Sequence, residues 1–230
     1  MTNSESWATR ATAACEQFQK LFPGRVTVPE DANYDSVICQ SWSVTSRIPA
    51  TAYIDLRSTE DVVKALSVIR HTGPRFAIRS AGHNANPGFS SVGLDKAGVV
   101  LDLSGLKSQS LDKGSNTARF GGGNNWLEVS SWLEAQDLSV VGSREGQVGL
   151  SGFLLGGTSN FQGGQGIFSS LYGLGADGVK DFEVTTQIPV YSQSKLGADN
   201  SIIAYVVNAN AESHPDLFLA LKGGGTNFGN

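Results

Sequence analysis

The chain has 230 residues, 40% of them hydrophobic, and a formal net charge of -4. That length suits one large domain or two small ones, with enough apolar content for a proper core. The acidic balance argues against a nucleic-acid partner, which usually leaves a basic footprint, and no Lys/Arg cluster marks an anionic membrane surface.

In chain order, Ala8 to Phe22 carries Ala11, Ala14, Cys15, Phe18 and Leu21 near helical spacing, which predicts an amphipathic helix stopped by Pro23-Gly24. Arg25 to Pro29 reads as a short extended segment, and Asn33 to Ser43 as a second short helix ending near Trp42. Ala52 to Leu56 reads as a strand. Ser58-Thr59-Glu60-Asp61 then supplies a hydroxyl cap and first-turn acids for a helix that ends near His71-Thr72-Gly73-Pro74. With Phe76 to Arg79 as the next strand, this is a β-α-β unit.

Gly98 to Leu103 is a further strand. Ser110-Leu111 and Thr117 to Phe120 predict an edge hairpin around Asp112-Lys113-Gly114. A glycine turn, Gly121 to Asn125, leads into a helix over Trp126 to Ala135. Leu138 to Val141 regains strand character, Val179 to Thr185 is a strand, and Asp216 to Leu221 is a short helix. Helices, strands and hairpins in this mixture predict an α+β fold. No G-x-G-x-x-G joins a strand to a helix, so a Rossmann domain is not supported.

The residues from Met1 to Ser6 lack the basic and apolar regions of a secretory leader, and no stretch approaches the ~20 apolar residues of a membrane span. Cys15 and Cys39 are the only cysteines. They make no disulfide framework, so a reducing, cytoplasmic setting is expected. The three histidines and two cysteines have no metal-ligand spacing, and no metal is expected.

The informative excess is glycine, 28 residues, clustered as Gly121-Gly122-Gly123, Gly156-Gly157, Gly163-Gly164 and Gly223-Gly224-Gly225. Glycine gathered at segment ends points to tight turns around something held by backbone. The strand Phe76 to Arg79 breaks at once into Ser80-Ala81-Gly82-His83-Asn84-Ala85-Asn86-Pro87-Gly88. Such a loop can present consecutive backbone N–H groups to an anion and admit close approach. Arg79 is expected to add a fixed positive charge at its mouth, and His83 a ring nitrogen that is nucleophilic near neutral pH. The diphosphate of a dinucleotide suits these parts. A lone histidine in a strand-to-loop turn equally suits an ordinary structural contact. Gly142 to Gly166, apolar with few charges, reads as a buried ligand-lining segment.

Arg79-Ser80-Ala81-Gly82-His83 resembles the R-S/G-x-G-H loop of FAD-linked oxidoreductases of the vanillyl-alcohol oxidase and berberine bridge enzyme type, with a PCMH-type flavin domain. The likeness recurs in register. It continues in Val99 to Ser104, in Phe120 to Trp126, in Gly142 to Gly157, and in Asp216-Leu217-Phe218-Leu219-Ala220-Leu221-Lys222-Gly223-Gly224-Gly225-Thr226-Asn227-Phe228-Gly229. The resemblance implies two α+β subdomains with FAD between them, a helical lead-in over residues 1–45 and the flavin domain over 46–230. It implies cofactor contacts at Arg79, Ser80, Ala81, Gly82, His83, Asn84 and Gly88. Further contacts are implied at Gly142, Val148, Gly149, Ser151, Gly152 and Gly156, and at Val179 and Val184. Many members bond this histidine to the flavin C8 methyl, which raises the flavin's potential, so His83 is the implied attachment site. The second link some members make through cysteine is not expected, because Ser143 to Val148 contains none.

Two departures accompany the likeness. Thr185 to Tyr205 intervenes where the family has a brief hairpin, and is expected to be a surface excursion. The family's substrate domain, with its substrate-binding residues and catalytic base, has no counterpart in this sequence, so no acid or base is named. The leading expectation is an oxidase: hydride passes from a small organic substrate to FAD and electrons pass to O₂, in secondary metabolism. The alternatives are a flavin-binding domain without turnover, exposing apolar surface around Gly152 to Phe161, and a carbohydrate- or nucleotide-binding module.

Overall fold

In the computed structural model, residues 6–156, 163–186, 205–222 and 224–225 are described. The chain divides into two units, Met1–Gly123 and Asn124–Asn230.

The first unit begins with α1 (Trp7–Leu21), where the Ser6 side chain accepts the Thr9 N–H and Ala11, Ala14, Cys15 and Phe18 are buried along one face. There follow β1 (Val26–Thr27), α2 (Tyr34–Cys39), β2 (Ala52–Asp55), α3 (Thr59–Thr72), β3 (Phe76–Arg79) and β4 (Val99–Asp102). Helix α3 starts as its sequence requires, with Ser58 Oγ accepting the Asp61 N–H, and stops at Gly73 in the left-handed region. It packs on α1. Tyr34 and Ile38 of α2 share a core with Tyr53, Ala77 and Val100, so residues 7–39 are built into this unit.

The four strands form one sheet in the order β1-β2-β4-β3, with β1 antiparallel to β2 and the other pairs parallel. The β-α-β crossover is present, yet β2 and β3 are not neighbours, because β4 lies between them. Val99, Val100 and Leu101 are at most 1% exposed. A strand covered on both faces needs such a continuous apolar run, and β4 has it. Strand β3 is left at the edge with Phe76 exposed.

The hairpin of β5 (Gln109–Asp112) and β6 (Thr117–Phe120) forms its own two-stranded sheet rather than extending the main one. Its turn is held by Asp112, whose carboxylate accepts from the Gly114 and Ser115 N–H groups. Helix α2 is shorter than the expected Asn33 to Ser43. It ends at Cys39, and Ser43 instead caps a separate 3-10 turn over Val44–Ser46.

The second unit contains α4 (Trp126–Glu134), α5 (Leu150–Gly156), α6 (Ser169–Tyr172), β7 (Asp181–Thr186), β8 (Tyr205–Asn210) and α7 (Pro215–Leu221). Asn125 and Glu128 close a capping box on α4. Strands β7 and β8 pair antiparallel from Asp181 opposite Asn210 to Thr186 opposite Tyr205. Leu217 and Leu221 of α7 cover this pair together with Val184, Val207 and Ala209. No helix among the described residues is long and apolar enough to cross a membrane.

One strand expectation fails here. Leu138 to Val141 is not a strand: Asp137 turns left-handed and the Leu138 N–H returns to the Leu133 carbonyl, so this stretch serves as the end of α4. The glycine-rich run after Gly142, expected to be a buried ligand-lining segment, contains the helix Leu150–Gly156, in which Leu150 and Phe153 are buried one turn apart and outweigh the glycines. The excursion expected over Thr185 to Tyr205 lies outside the described residues except at its ends in β7 and β8. Residues 157–162 of the expected apolar surface and 226–230 of the last motif also lie outside them.

Candidate functional site

Strand β3 delivers Arg79 to the start of the loop, but the side chain turns inward. It is 2% exposed. Its Nη2 lies 2.5 Å and its Nε 3.2 Å from Asp102 Oδ2. Nη1 donates to the Val37 carbonyl at 2.8 Å, Nη2 also reaches Gln40 Oε1 at 3.0 Å, and the guanidinium lies 5.0 Å from the Tyr53 ring centre. Burial pushes the Tyr53 phenol up to about 12, against the pull of Arg79, so it stays neutral and donates to the Ile48 carbonyl. The expectation of a fixed charge at the loop mouth is therefore corrected. Arg79 sits opposite Asp102 in register, and a guanidinium carried into the interior needs that carboxylate and those carbonyls around it.

The rest of the loop is pinned and then left open. Ser80 Oγ donates to the Gly122 carbonyl at 2.6 Å. Gly82 is buried with φ +67°, and a Cβ there would stand 3.2 Å from Ser41 Cα. The Gly82 carbonyl accepts from the Trp42 N–H at 3.0 Å, and Thr45 Oγ1 donates to the Ala85 carbonyl at 2.6 Å. The half-buried His83 ring lies against the Trp42 indole, with centroids 4.8 Å apart and planes 14° from parallel. Asn84 is exposed and its Oδ1 accepts the Asn86 N–H; Gly88, at φ +85°, donates to Ser91 Oγ.

The backbone N–H groups of Ala81, Gly82, Asn84 and Ala85 have no acceptor among the described residues. Unused donors in a short glycine loop are what an anionic group requires. The loop thus fits a diphosphate through its backbone, with the Arg79 charge absorbed elsewhere.

In the second unit the expected residues gather around α4 and α5. The Val148 carbonyl accepts the Trp126 N–H at 3.0 Å, Gly149 bridges to Asn125, and the Gly149 carbonyl accepts from Phe153. Ser151 and Gly152 lie in α5 and Gly156 ends it; Gly152 and Gly156 are exposed, with open space where a Cβ would be. Gly142 has a packing reason, since a Cβ would overlap the Trp126 ring. The Val184 side chain belongs to the core under α7, and Val179 is half-buried just after the 3-10 turn Gly175–Gly178. The indole N–H of Trp126, 2% exposed, has no acceptor among the described residues.

Sequence reasoning missed Gln40, Trp42 and Thr45 as supports of the loop. They lie about forty positions upstream and carry no spacing signal. Asp102 was missed as well, because the burial of Arg79 and the strand register that sets Asp102 opposite it are tertiary facts.

A sequence family described as "FAD binding domain" matches residues 50–187. The chain is 39% identical over 196 residues to the FAD-dependent monooxygenase macF of Penicillium terrestre, covering 85% of this chain and 34% of that protein. It spans about a third of the length of the curated relatives it matches. Among solved structures, 6-hydroxy-D-nicotine oxidase of Arthrobacter nicotinovorans aligns with a TM-score of 0.72 and 26% identity, over 90% of this chain and 40% of that one. The berberine-bridge-enzyme-like protein 1 of Physcomitrella patens aligns with a TM-score of 0.70 and 22% identity, over 94% of this chain and 42% of that one, a likeness of fold. The family match covers more than half of the chain and takes in the Arg79-Ser80-Ala81-Gly82-His83 loop, so the chain belongs to the FAD-binding-domain family.

Proposed function

We propose that this chain is the FAD-binding part of an FAD-linked oxidoreductase that oxidises a small organic molecule of secondary metabolism and passes the electrons to dioxygen. The observation that carries the reading is the set of open amides of Ala81, Gly82, Asn84 and Ala85 around the half-buried His83. Ser80, bound to Gly122, and Gly82, seated on Ser41, hold that set in shape. The amides would take the diphosphate, and His83 would stand at the edge of the cofactor. Bound FAD supplies a two-electron acceptor for hydride. No residue of this chain is assigned as the base.

His83 is the attachment site in this reading. The bond joins an imidazole nitrogen to the C8 methyl carbon of the flavin. One hydrogen leaves each partner, and the two electrons and two protons pass to dioxygen. The visible spectrum of the purified protein tests the reading, with flavin bands expected as isolated or after incubation with FAD. A colourless protein after that incubation overturns it. In denaturing gels the flavin fluorescence should stay with the chain and vanish in His83→Ala.

A further inference from the structure

We propose that Trp42 is the positioning residue of His83: its indole is the surface that sets the orientation of the imidazole. The inference rests on the flavin reading above. The two rings are nearly parallel at 4.8 Å. An imidazole with a flat neighbour on one side has few ring orientations left, and a nucleophile held near its attack geometry reacts faster than one that rotates.

Trp42 is itself held from behind. Its N–H donates to the Gly82 carbonyl, one residue before His83. Just upstream, Val37 and Gln40 are bound by the Arg79 guanidinium, which Asp102 fixes in the interior. The buried ion pair therefore ties the end of α2 to the start of the loop, and that tie brings Trp42 over His83. This gives Arg79 of the pentad a role without phosphate contact. The indole is 61% exposed, so it is not a core residue. Its backbone bond survives truncation of the side chain.

The test compares wild type, Trp42→Ala and Trp42→Phe, each as the full chain incubated with FAD. Total flavin is read from the absorbance of the native protein, and attached flavin from fluorescence after denaturation. Trp42→Ala should bind FAD within about threefold of wild type yet form the covalent bond about tenfold more slowly, and Trp42→Phe should recover to within about threefold. The proposal is overturned if Trp42→Ala attaches flavin at the wild-type rate. It is also overturned if binding and attachment fall together, or if phenylalanine rescues nothing.

A wild type that binds FAD without attaching it would end the attachment reading. The stacking is then judged on the apoprotein by NMR. The His83 ring protons, assigned with His83→Ala, should show an upfield ring-current shift that disappears in Trp42→Ala. Unshifted resonances in wild type overturn the inference.

Discussion

Arg79 and Asp102 stand opposite each other on the parallel strands β3 and β4, and their side chains, 2% and 8% exposed, close an ion pair of 2.5 Å. The pair joins the sheet to α2 through Val37 and Gln40. Removing one partner leaves the other charged in the interior. Arg79→Ala should therefore lose about 3–5 kcal/mol of stability in urea unfolding, while the double change Arg79→Met with Asp102→Leu should lose less. A double variant as unstable as the single one would contradict this account.

Gly82 and Gly88 both have positive φ, at +67° and +85°, but only Gly82 has a backbone atom, Ser41 Cα, close to where a Cβ would stand. Gly88→Ala should cost about 1–2 kcal/mol from backbone strain alone. Gly82→Ala should cost roughly a further 1 kcal/mol from crowding, and it should weaken FAD binding because the open amides shift with it. Thermal melts and FAD titration of the two variants separate strain from cofactor binding.

Asp61, in the capping turn of α3, faces Arg25, whose Nη1 is 2.6 Å from Oδ2 and whose Nη2 is 3.2 Å from Oδ1. The hydrogen bonds from Arg25 hold this carboxyl below the usual carboxylate range, against burial, which pushes it up; the Arg57 N–H helps. A depressed folded pKa gives stability that is complete above the ordinary value of about 3.9. That stability is lost as pH falls through the folded value. Asp61→Asn should thus be less stable than wild type near neutrality, by about 1–3 kcal/mol, and the two curves should converge in acid. Curves that stay parallel down to the acid limb would show that Asp61 contributes no titrating stability.

Gly142 lies against the Trp126 ring with no room for a Cβ, and Trp126 in turn meets Phe153 edge-on at 5.0 Å. Gly142→Ala should destabilise the second unit by about 1–3 kcal/mol and alter the near-UV circular dichroism of Trp126. At temperatures where the variant stays folded, FAD affinity should be near that of wild type. A selective loss of affinity with unchanged stability would make Gly142 a cofactor contact instead.

Local chemistry made much of this chain legible. Ser58 and Gly73 bracket α3, the glycine turn ending at Asn125 opens α4, and Val99-Val100-Leu101 marks the centre of a strand; each signal needs only near neighbours in sequence. The loop from Ser80 to Gly88 was legible for the same reason, since its glycines and the following proline settle where the strand stops. Helix α5 was hidden because glycine lowers helix propensity, while burial of Leu150 and Phe153 is a tertiary gain that no local count includes.

The sequence by itself determined that an open, glycine-rich backbone follows β3 and that His83 lies in it, because these are properties of adjacent residues. Only the tertiary structure decided where the charge of Arg79 goes and what lies under His83. Strand register put Asp102 opposite Arg79, and the fold returned Trp42 and Thr45 to the loop from about forty residues upstream. Side-chain direction and long-range neighbours follow from how strands and helices are laid together, and residue type alone does not encode them.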